Sequence, residues 1–284
     1  MASGGGGGST VLRILLGAQL RRLRERQGVT PQQAAAHVRG SVSKISRMEL
    51  GRHPFKQRDL VDLLRLYGIT DDTELDQLLA LGRRANEPGW WHGYGDLLPS
   101  WFQSYVGLEE SAGQIRTYAT QWIPGLLQTE AYIAAVIALG GFSPAEKQRR
   151  VAMRLERQRR FRDGDLHLWA IIDEAVLRRA VGGREVMRDQ LEYLLETSKR
   201  PTLFLQVTTL PVGGGHAAPS GFSILRFPDT ELSDVVYVEH LTGALYLDKP
   251  SDVDDYMLAM DRLGVISAAP EDSVEIINSI LRDT

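Results

Sequence analysis

The chain of 284 residues contains no cysteine. It therefore has no disulfide framework, no cysteine-ligated zinc and no cysteine nucleophile, which fits a reducing compartment. No apolar run approaches the roughly 18 residues of a membrane-spanning helix. The first ten residues, MASGGGGGST, have neither the basic nor the apolar region of a secretory signal. We therefore expect a cytoplasmic protein that makes no membrane contact.

Signatures of catalysis and metal binding are also missing from the sequence. The six histidines never fall at the spacing of metal ligands, and there is no GxSxG nucleophile motif. The glycine-rich loop at 211–216, PVGGGH, lacks the Lys and Ser/Thr ending of a phosphate-binding loop. We expect no metal, no cofactor and no enzymatic activity.

The composition is that of an ordinary globular chain with room for two domains, with 43% hydrophobic and 24% charged residues. The net charge of −3 conceals an uneven distribution. Residues 1–69 carry 12 Lys and Arg against 4 Asp and Glu, a charge of +8. The remaining residues carry 21 against 32, a charge of −11. A segment of +8 gains affinity for polyanionic DNA through counterion release, so we expect any DNA contact there.

Residues 28–51, GVTPQQAAAHVRGSVSKISRMELG, predict two short helices joined by a tight turn. For the first helix, at 32–38, Thr30 is a suitable N-cap and Pro31 suits the first helical position. Gln33 can bond back to the cap, which would complete a capping box. The alanines in the middle of the helix favour helix formation and allow a second helix to cross close by.

The second predicted helix, at 42–50, follows a turn at 39–40. Ser41 is a good N-cap for it, and Gly51 ends it. Small polar and basic residues stand at its start, where base edges would be read. This arrangement is typical of a helix-turn-helix unit that binds the major groove of DNA. The alternative is a generic helical bundle with an arginine-rich solvated face.

The two faces of the predicted motif differ in character. Val38, Ile45 and Met48 fall at spacings that point inward. We expect Arg47 to contact a guanine and the N-terminus of the first helix to contact phosphate. The predicted DNA-binding residues are Thr30, Gln32, Val42, Ser43, Lys44, Ser46, Arg47 and Arg52.

Two further helices would complete a small core around the motif. Each is predicted by an apolar stripe, with Arg21, Arg22, Arg24 and Arg26 lying mostly off the first one. The stripes are Leu12, Leu16, Leu20 and Leu23 before the motif and Leu60, Leu63, Leu64 and Tyr67 after it.

The motif resembles the phage-repressor-like (Xre) helix-turn-helix family, most specifically in KISRMELGR at 44–52. The resemblance implies a lambda-repressor-like all-α fold. The family usually places Gly where Arg39 stands here and an apolar residue where Gly40 stands. Either the turn shifts by one residue or Arg39 adopts a positive φ, at a cost of roughly 1 kcal/mol.

The sequence after residue 85 predicts an aromatic linker and then a mixed domain. In the linker, Trp90, Trp91, Tyr94 and Trp101 either face a ligand or, as we favour, pack the linker onto a domain. Helices are predicted at 107–121, 125–139, 144–162, 184–199, 251–263 and 271–282. Strands are predicted at 166–172, 202–210, 221–227, 235–240 and 244–247. Strands and helices do not alternate regularly, which favours an α+β fold.

Four segments of this second domain resemble the C-terminal domain of WhiJ-like actinobacterial regulators. They are IPGLLQTE (123–130), LERQRRF (155–161), IIDEAVLRRAVGG (171–183) and VVYVEH (235–240). The resemblance implies a transcriptional regulator whose C-terminal domain has no defined activity. It also implies an antitoxin-like role and a small protein partner encoded nearby.

One cluster in the second domain suggests ligand binding. Arg150, Arg154 and Arg157 fall on one face of a predicted helix and could bind an anionic small molecule. The alternative, which we favour at this point, is a solvated face paired with acidic groups. Asp173, Glu174 and Glu239 could be paired carboxylates but are more often structural in such positions. The candidate ligand or partner site comprises Trp122, Arg150, Arg154, Arg157, Glu174 and Glu239.

The sequence therefore predicts a DNA-binding transcriptional regulator of two domains. We divide it into a flexible glycine-rich leader at 1–10, a helix-turn-helix domain at 11–85, an aromatic linker at 86–100 and a regulatory domain at 101–284. The expected partners are double-stranded operator DNA and a second copy of the chain, because one recognition helix covers too little of a selective site. An anionic effector and a small protein partner are the alternatives for the second domain.

Overall fold

The computed structural model describes residues 8–87, 89–212, 218–228 and 234–284. They form two compact units, and the chain passes from the first to the second between Ser111 and Ala112. Residues 1–7 of the predicted leader lie outside the described residues, as do residues 213–216 of the glycine-rich loop. Residues 8–10 of the predicted leader begin a helix.

The first unit is helical. Its helices are α1 (Gly8–Arg26), α2 (Pro31–His37), α3 (Val42–Glu49), α4 (Gln57–Leu66), α5 (Asp72–Ala85) and α6 (Ser100–Ser111). Both predicted apolar stripes are confirmed, since Leu16, Leu20, Leu60, Leu63, Leu64 and Tyr67 are buried in one core. Leu23 packs against that core, whereas the side chain of Leu12 is outside the described part.

The aromatic segment after α5 packs into the first unit, which extends past the domain boundary expected near residue 85. Residues Trp90–Tyr94 form a short 3-10 helix, and Trp91 is 1% exposed. The indole Nε1 of Trp90 donates to Glu110 Oε2 of α6 at 3.2 Å. Burying these aromatic rings binds the segment to α6, as the packing interpretation predicted.

The second unit contains a mixed six-stranded sheet of order β3-β2-β1-β4-β5-β6. Its strands are β1 (Gln114–Ala119), β2 (His167–Asp173), β3 (Leu203–Thr208), β4 (Phe222–Arg226), β5 (Val235–His240) and β6 (Gly243–Leu247). β1, β2 and β3 run parallel, with Ile115 opposite Leu168. β4, β5 and β6 continue the sheet antiparallel from β1. The predicted α+β class is confirmed.

Helices surround this sheet. They are α7 (Glu130–Ala138), α8 (Pro144–Arg157), α9 (Arg159–Asp163), α10 (Glu174–Arg178), α11 (Arg184–Thr197), α12 (Pro250–Ile266) and α13 (Pro270–Asp283). Met260 and Leu263 of α12 share a buried cluster with Tyr118, Ile171 and Val236 of the sheet. Within the described ranges, no helix combines the length and the apolar character needed to cross a bilayer.

The helix predicted at 107–121 is wrong, because α6 ends at Ser111 and Gln114–Ala119 form the strand β1. β1 lies between two partner strands, and Thr117, Tyr118 and Ala119 are buried in succession. The two-residue alternation of a strand therefore holds only for its first four residues. The helix predicted at 125–139 is a 3-10 turn at Gly125–Leu127 followed by α7. The one predicted at 144–162 is divided at Gln158 into α8 and α9.

Candidate nucleic-acid interface

The caps predicted for the two short helices are present. Thr30 Oγ1 accepts from Gln33 N at 3.2 Å, and Thr30 N donates to Gln33 Oε1 at 2.8 Å, which completes the capping box of α2. Ser41 Oγ accepts from Lys44 N at 3.1 Å and so caps α3. Gly51 follows α3 with a φ of +65°. These caps satisfy backbone donors that would otherwise be exposed at the helix ends.

The structure of the turn between α2 and α3 decides between the two alternatives, a turn shifted by one residue or a positive φ at Arg39. Arg39 has a φ of +50°, the only positive φ at a residue other than glycine in the described part of the chain. Its amide donates to Ala36 O at 3.1 Å, and Gly40 N donates to Ala35 O at 2.8 Å, which closes the end of α2. The turn therefore keeps its position, and Arg39 carries the left-handed conformation.

The inner faces of α2 and α3 are buried, and the end of α3 lies against α1 at close range. Ala35, Val38, Ile45 and Met48 are all buried. A Cβ on Gly17 of α1 would lie 2.6 Å from the carbonyl oxygen of Met48, closer than such atoms approach. Only glycine at this position lets the backbone of α1 reach the end of α3.

A buried ion pair also holds the end of α3 in place. The guanidinium of Arg24 on α1 donates from Nε to Glu49 Oε1 at 2.6 Å and from Nη2 to Glu49 Oε2 at 3.0 Å. Its Nη1 donates to Val29 O at 2.9 Å, and both charged side chains are 9% exposed. The hydrogen bond that Arg24 donates to Glu49 raises the pKa of Arg24 above its usual value. Sequence reasoning missed this role, although Arg24 continues the four-residue spacing of Leu16 and Leu20.

The opposite face of α3 is open to solvent. Val42 is 42% exposed, and Ser43, Ser46 and Arg47 are exposed with it. Nε of Arg47 donates to its own helix at Ser43 O, at 3.3 Å. The remaining predicted contacts Thr30, Gln32 and Arg52 are exposed as well. Seven of the eight predicted DNA-binding residues are therefore accessible to a ligand.

Lys44 is the eighth residue, and its surroundings differ from those of the others. Its Nζ lies 2.5 Å from Asp59 Oδ2 of α4, and its side chain is 20% exposed. An ion pair of this kind ties α3 to α4 and offsets the charge that Lys44 would present to a phosphate. No local sequence signal indicates it, because the partner lies 15 residues further along the chain.

Positive charge gathers beside the exposed face of α3. Burial lowers the pKa of His53 from its usual value, and the charges of Arg47, Lys44 and Lys56 lower it further, against an opposing effect of Asp59. These basic groups therefore lie close enough to act on one imidazole. A surface with this potential attracts a polyanion such as DNA.

In the second unit, the structure brings three of the predicted site residues together. Arg150, Arg154 and Arg157 lie on α8 and are half-buried, so they do not form the solvated face that we favoured. Trp122 is half-buried, and the guanidinium carbon of Arg179 lies 5.9 Å from its ring centre.

The two predicted acidic site residues lie apart. Glu174 is buried and accepts from Arg178 Nε at 2.7 Å and from Leu210 N at 2.9 Å, which is a structural role. Glu239 is exposed on β5 and accepts from Tyr237 Oη at 2.8 Å. Two strands, β1 and β4, separate β5 from the end of β2 where Glu174 begins α10, a distance of about 14 Å between backbones. They do not form a carboxylate pair.

The fold and the exposed face of α3 define a helix-turn-helix protein that binds DNA. A family model described as a helix-turn-helix domain matches residues 15–78. A second, described as a domain of unknown function (DUF5753), matches residues 102–279, which is more than half of the chain. The chain belongs to this DUF5753 family. A comparison with curated proteins found no match, and a comparison with solved structures found none either.

Proposed function

We propose that the protein is a sequence-specific transcriptional regulator that binds its operator as a homodimer and receives a signal through its second unit. The observation that carries the proposal is the exposed face of α3. There, Ser43, Ser46 and Arg47 face solvent while Ile45 and Met48 fix the helix in the core. A rigid helix with short polar side chains and one exposed guanidinium group suits base readout in the major groove.

To test the proposal, genomic fragments bound by the full-length chain are sequenced to identify an operator, and the affinity for that operator is then measured. Arg47→Ala should weaken binding to the selected operator by about 5- to 150-fold, most strongly at one base position. Arg21→Ala is the matched control, because it removes the same charge from an exposed site on α1 that is paired with Glu25. Equal affinity of wild type and Arg47→Ala would contradict the groove assignment.

We infer a dimer from the small size of the recognition surface. One short helix contacts only a few base pairs, and two half-sites related by two-fold symmetry supply a selective site. Light scattering of the protein with and without operator DNA should give twice the mass of one chain on a palindromic site. A single chain bound to an isolated half-site with full affinity would contradict the dimer.

The WhiJ-like segments favour a second candidate, an antitoxin-like protein that binds a small protein encoded beside it and represses its own operon. Co-expression of the two chains and purification on a tag placed on the small protein would test this candidate. Recovery of a stoichiometric complex would favour it over a small-molecule sensor. Under both candidates the protein acts in the cytoplasm and is not an enzyme.

A further inference from the structure

The arginine face of α8, defined as Arg150, Arg154 and Arg157, is the most unusual charge arrangement in the second unit. The three side chains stand four and three residues apart, so their guanidinium groups share one side of the helix. All three are half-buried. Like charges at this spacing that are partly removed from water repel one another, and the charges of Arg150 and Arg157 both act on Arg154.

No carboxylate forms an ion pair with the arginine at two of the three positions. In the part of the chain that the structure describes, neither Arg150 nor Arg154 has an acidic oxygen within 4.0 Å. The guanidinium of Arg150 stacks 3.8 Å above the ring of Phe142, and its buried Nε has no hydrogen-bond acceptor. Nη1 of Arg154 donates to Gln128 Oε1 at 3.4 Å, a long bond to a neutral group.

The electrostatics of Arg154 agree with this geometry. Burial lowers the pKa of its guanidinium to about 10, and the charges of Arg157 and Arg150 act in the same direction, while Glu239 opposes them. Arg24 in the first unit shows the opposite shift, because it has a bidentate carboxylate. The arginine face therefore has a deficit of negative charge that an anion would correct.

The backbone beside the arginine face is held in place, so it cannot easily rearrange to remove this deficit of negative charge. Buried glutamines hold the loop 123–129 beside it. Gln128 Nε2 donates to Ile123 O at 2.7 Å, and Gln158 Nε2 donates to Gly125 O at 2.9 Å and to Gln128 O at 2.8 Å. Gln190 binds Leu127 O and Thr129 N at 2.8 and 2.7 Å. A loop fixed in this way preorganises the guanidinium groups for a ligand.

We propose that the arginine face of α8 binds the phosphate group of a small molecule. Guanidinium groups bind phosphate oxygens through paired, planar hydrogen bonds, and a doubly charged phosphate offsets more of the repulsion than a single carboxylate. The regulatory consequence, that this ligand changes DNA binding, rests on the proposed function, whereas the binding itself does not.

Nucleic acid is a poor alternative occupant of this face. Residues 70–284 carry a net charge of −11, which disfavours a long polyanion lying across them. A compact phosphate group instead engages only the arginine face and the loop next to it. The half-buried state of all three arginines also excludes the flat contact that a duplex backbone makes.

Calorimetric titration of the full-length protein with pyrophosphate, inorganic phosphate and citrate at matched ionic strength tests the proposal. Pyrophosphate should bind most tightly and should raise the melting temperature by roughly 5 °C near saturation. Arg154→Gln should weaken that binding about tenfold or more, because it removes a charge-assisted hydrogen-bond donor. Tighter binding of citrate than of pyrophosphate would overturn the phosphate assignment.

A second readout separates a ligand site from a structural role. Removing an unpaired, partly buried charge should leave the free Arg154→Gln protein at least as stable as wild type, whereas a structural arginine would lose stability on replacement. Arg149→Gln is the matched control, since it lies on α8 with an exposed side chain. The control should keep the pyrophosphate response. An equal response in wild type and Arg154→Gln would overturn the proposal.

Operator binding is then measured with and without pyrophosphate for wild type and Arg47→Ala. If pyrophosphate binds but the operator affinity does not change, the phosphate site stands and its regulatory role is refuted. If wild type and Arg47→Ala bind DNA equally while calorimetry shows pyrophosphate binding, the DNA assignment fails on its own. The two failures are thus distinguishable.

Discussion

The two units differ in how they hold an arginine that is removed from solvent, fully for Arg24 and partly for Arg154. In the first, Arg24 has both oxygens of Glu49 and a backbone carbonyl, and its pKa rises. In the second, Arg154 has one long bond to a neutral amide, and its pKa falls. A buried charge with a full set of partners fixes a structure, whereas one without them lowers stability and provides affinity for an anion.

This difference agrees with the tasks proposed for the two units. The recognition helix α3 must be rigid, so α1 and α4 hold it through the Arg24–Glu49 and Lys44–Asp59 pairs. The loop beside α8 is equally well held, but its fixing groups are neutral glutamines. Neutral groups keep this loop rigid without cancelling the positive charge of the arginines. Substitutions in both units can test this difference in how the arginines are partnered.

The largest expected effect is that of Glu49→Ala in the first unit. The change leaves Arg24 buried without its carboxylate, so the free energy of unfolding should fall by about 3–5 kcal/mol. Chemical denaturation measures the loss, and hydrogen exchange at α1 and α3 assigns it to the first unit.

Asp62→Ala is the control for that prediction, because the side chain of Asp62 is 40% exposed and forms a solvent-facing pair with Arg58 on α4. It should cost less than about 1 kcal/mol. The combined Arg24→Met and Glu49→Leu variant should recover most of the loss. A cost for Glu49→Ala no larger than that for Asp62→Ala would remove the contrast with Arg154.

An intermediate effect is expected for Gln190→Leu in the second unit. Gln190 is fully buried, and its loss leaves Leu127 O and Thr129 N without their partner. The free energy of unfolding should fall by about 2–3 kcal/mol, and pyrophosphate binding should weaken because the loop loosens. Gln148→Leu, an exposed site on α8, is the control. Unchanged stability of Gln190→Leu would show that the loop does not depend on its glutamines.

The smallest effect is expected at the helix ends. α9 ends at Gly164 with a φ of +90°, whereas α2 is followed by Arg39 with a φ of +50°. Arg39→Gly should therefore stabilise the first unit by up to about 1 kcal/mol. This gain is reduced by the greater conformational entropy that glycine gives to the unfolded chain. Arg39→Val should destabilise it, because a β-branched residue tolerates a positive φ poorly. Thermal unfolding of both variants gives the comparison, and the reverse order would contradict the turn geometry.

Prediction from the sequence succeeded where the cause was local. The capping box at Thr30, the cap at Ser41 and the exposed face of α3 depend on residues within two turns of each other. It failed for β1, because burial alternates over only its first four residues, a run too short to tell a strand from a helix. It also missed Gly17, whose importance comes from the carbonyl oxygen of Met48 on another helix.

The sequence by itself determined the helix-turn-helix motif, the basic character of residues 1–69 and the spacing of the three arginines on α8. Only the tertiary structure decided that Arg24 has a carboxylate while Arg154 does not. It also decided that Lys44 is paired with Asp59 and that Glu174 and Glu239 lie apart. The reason is that capping and helical spacing act between near neighbours in the chain. The partner of a buried charge, in contrast, is set by distant segments that the fold brings together.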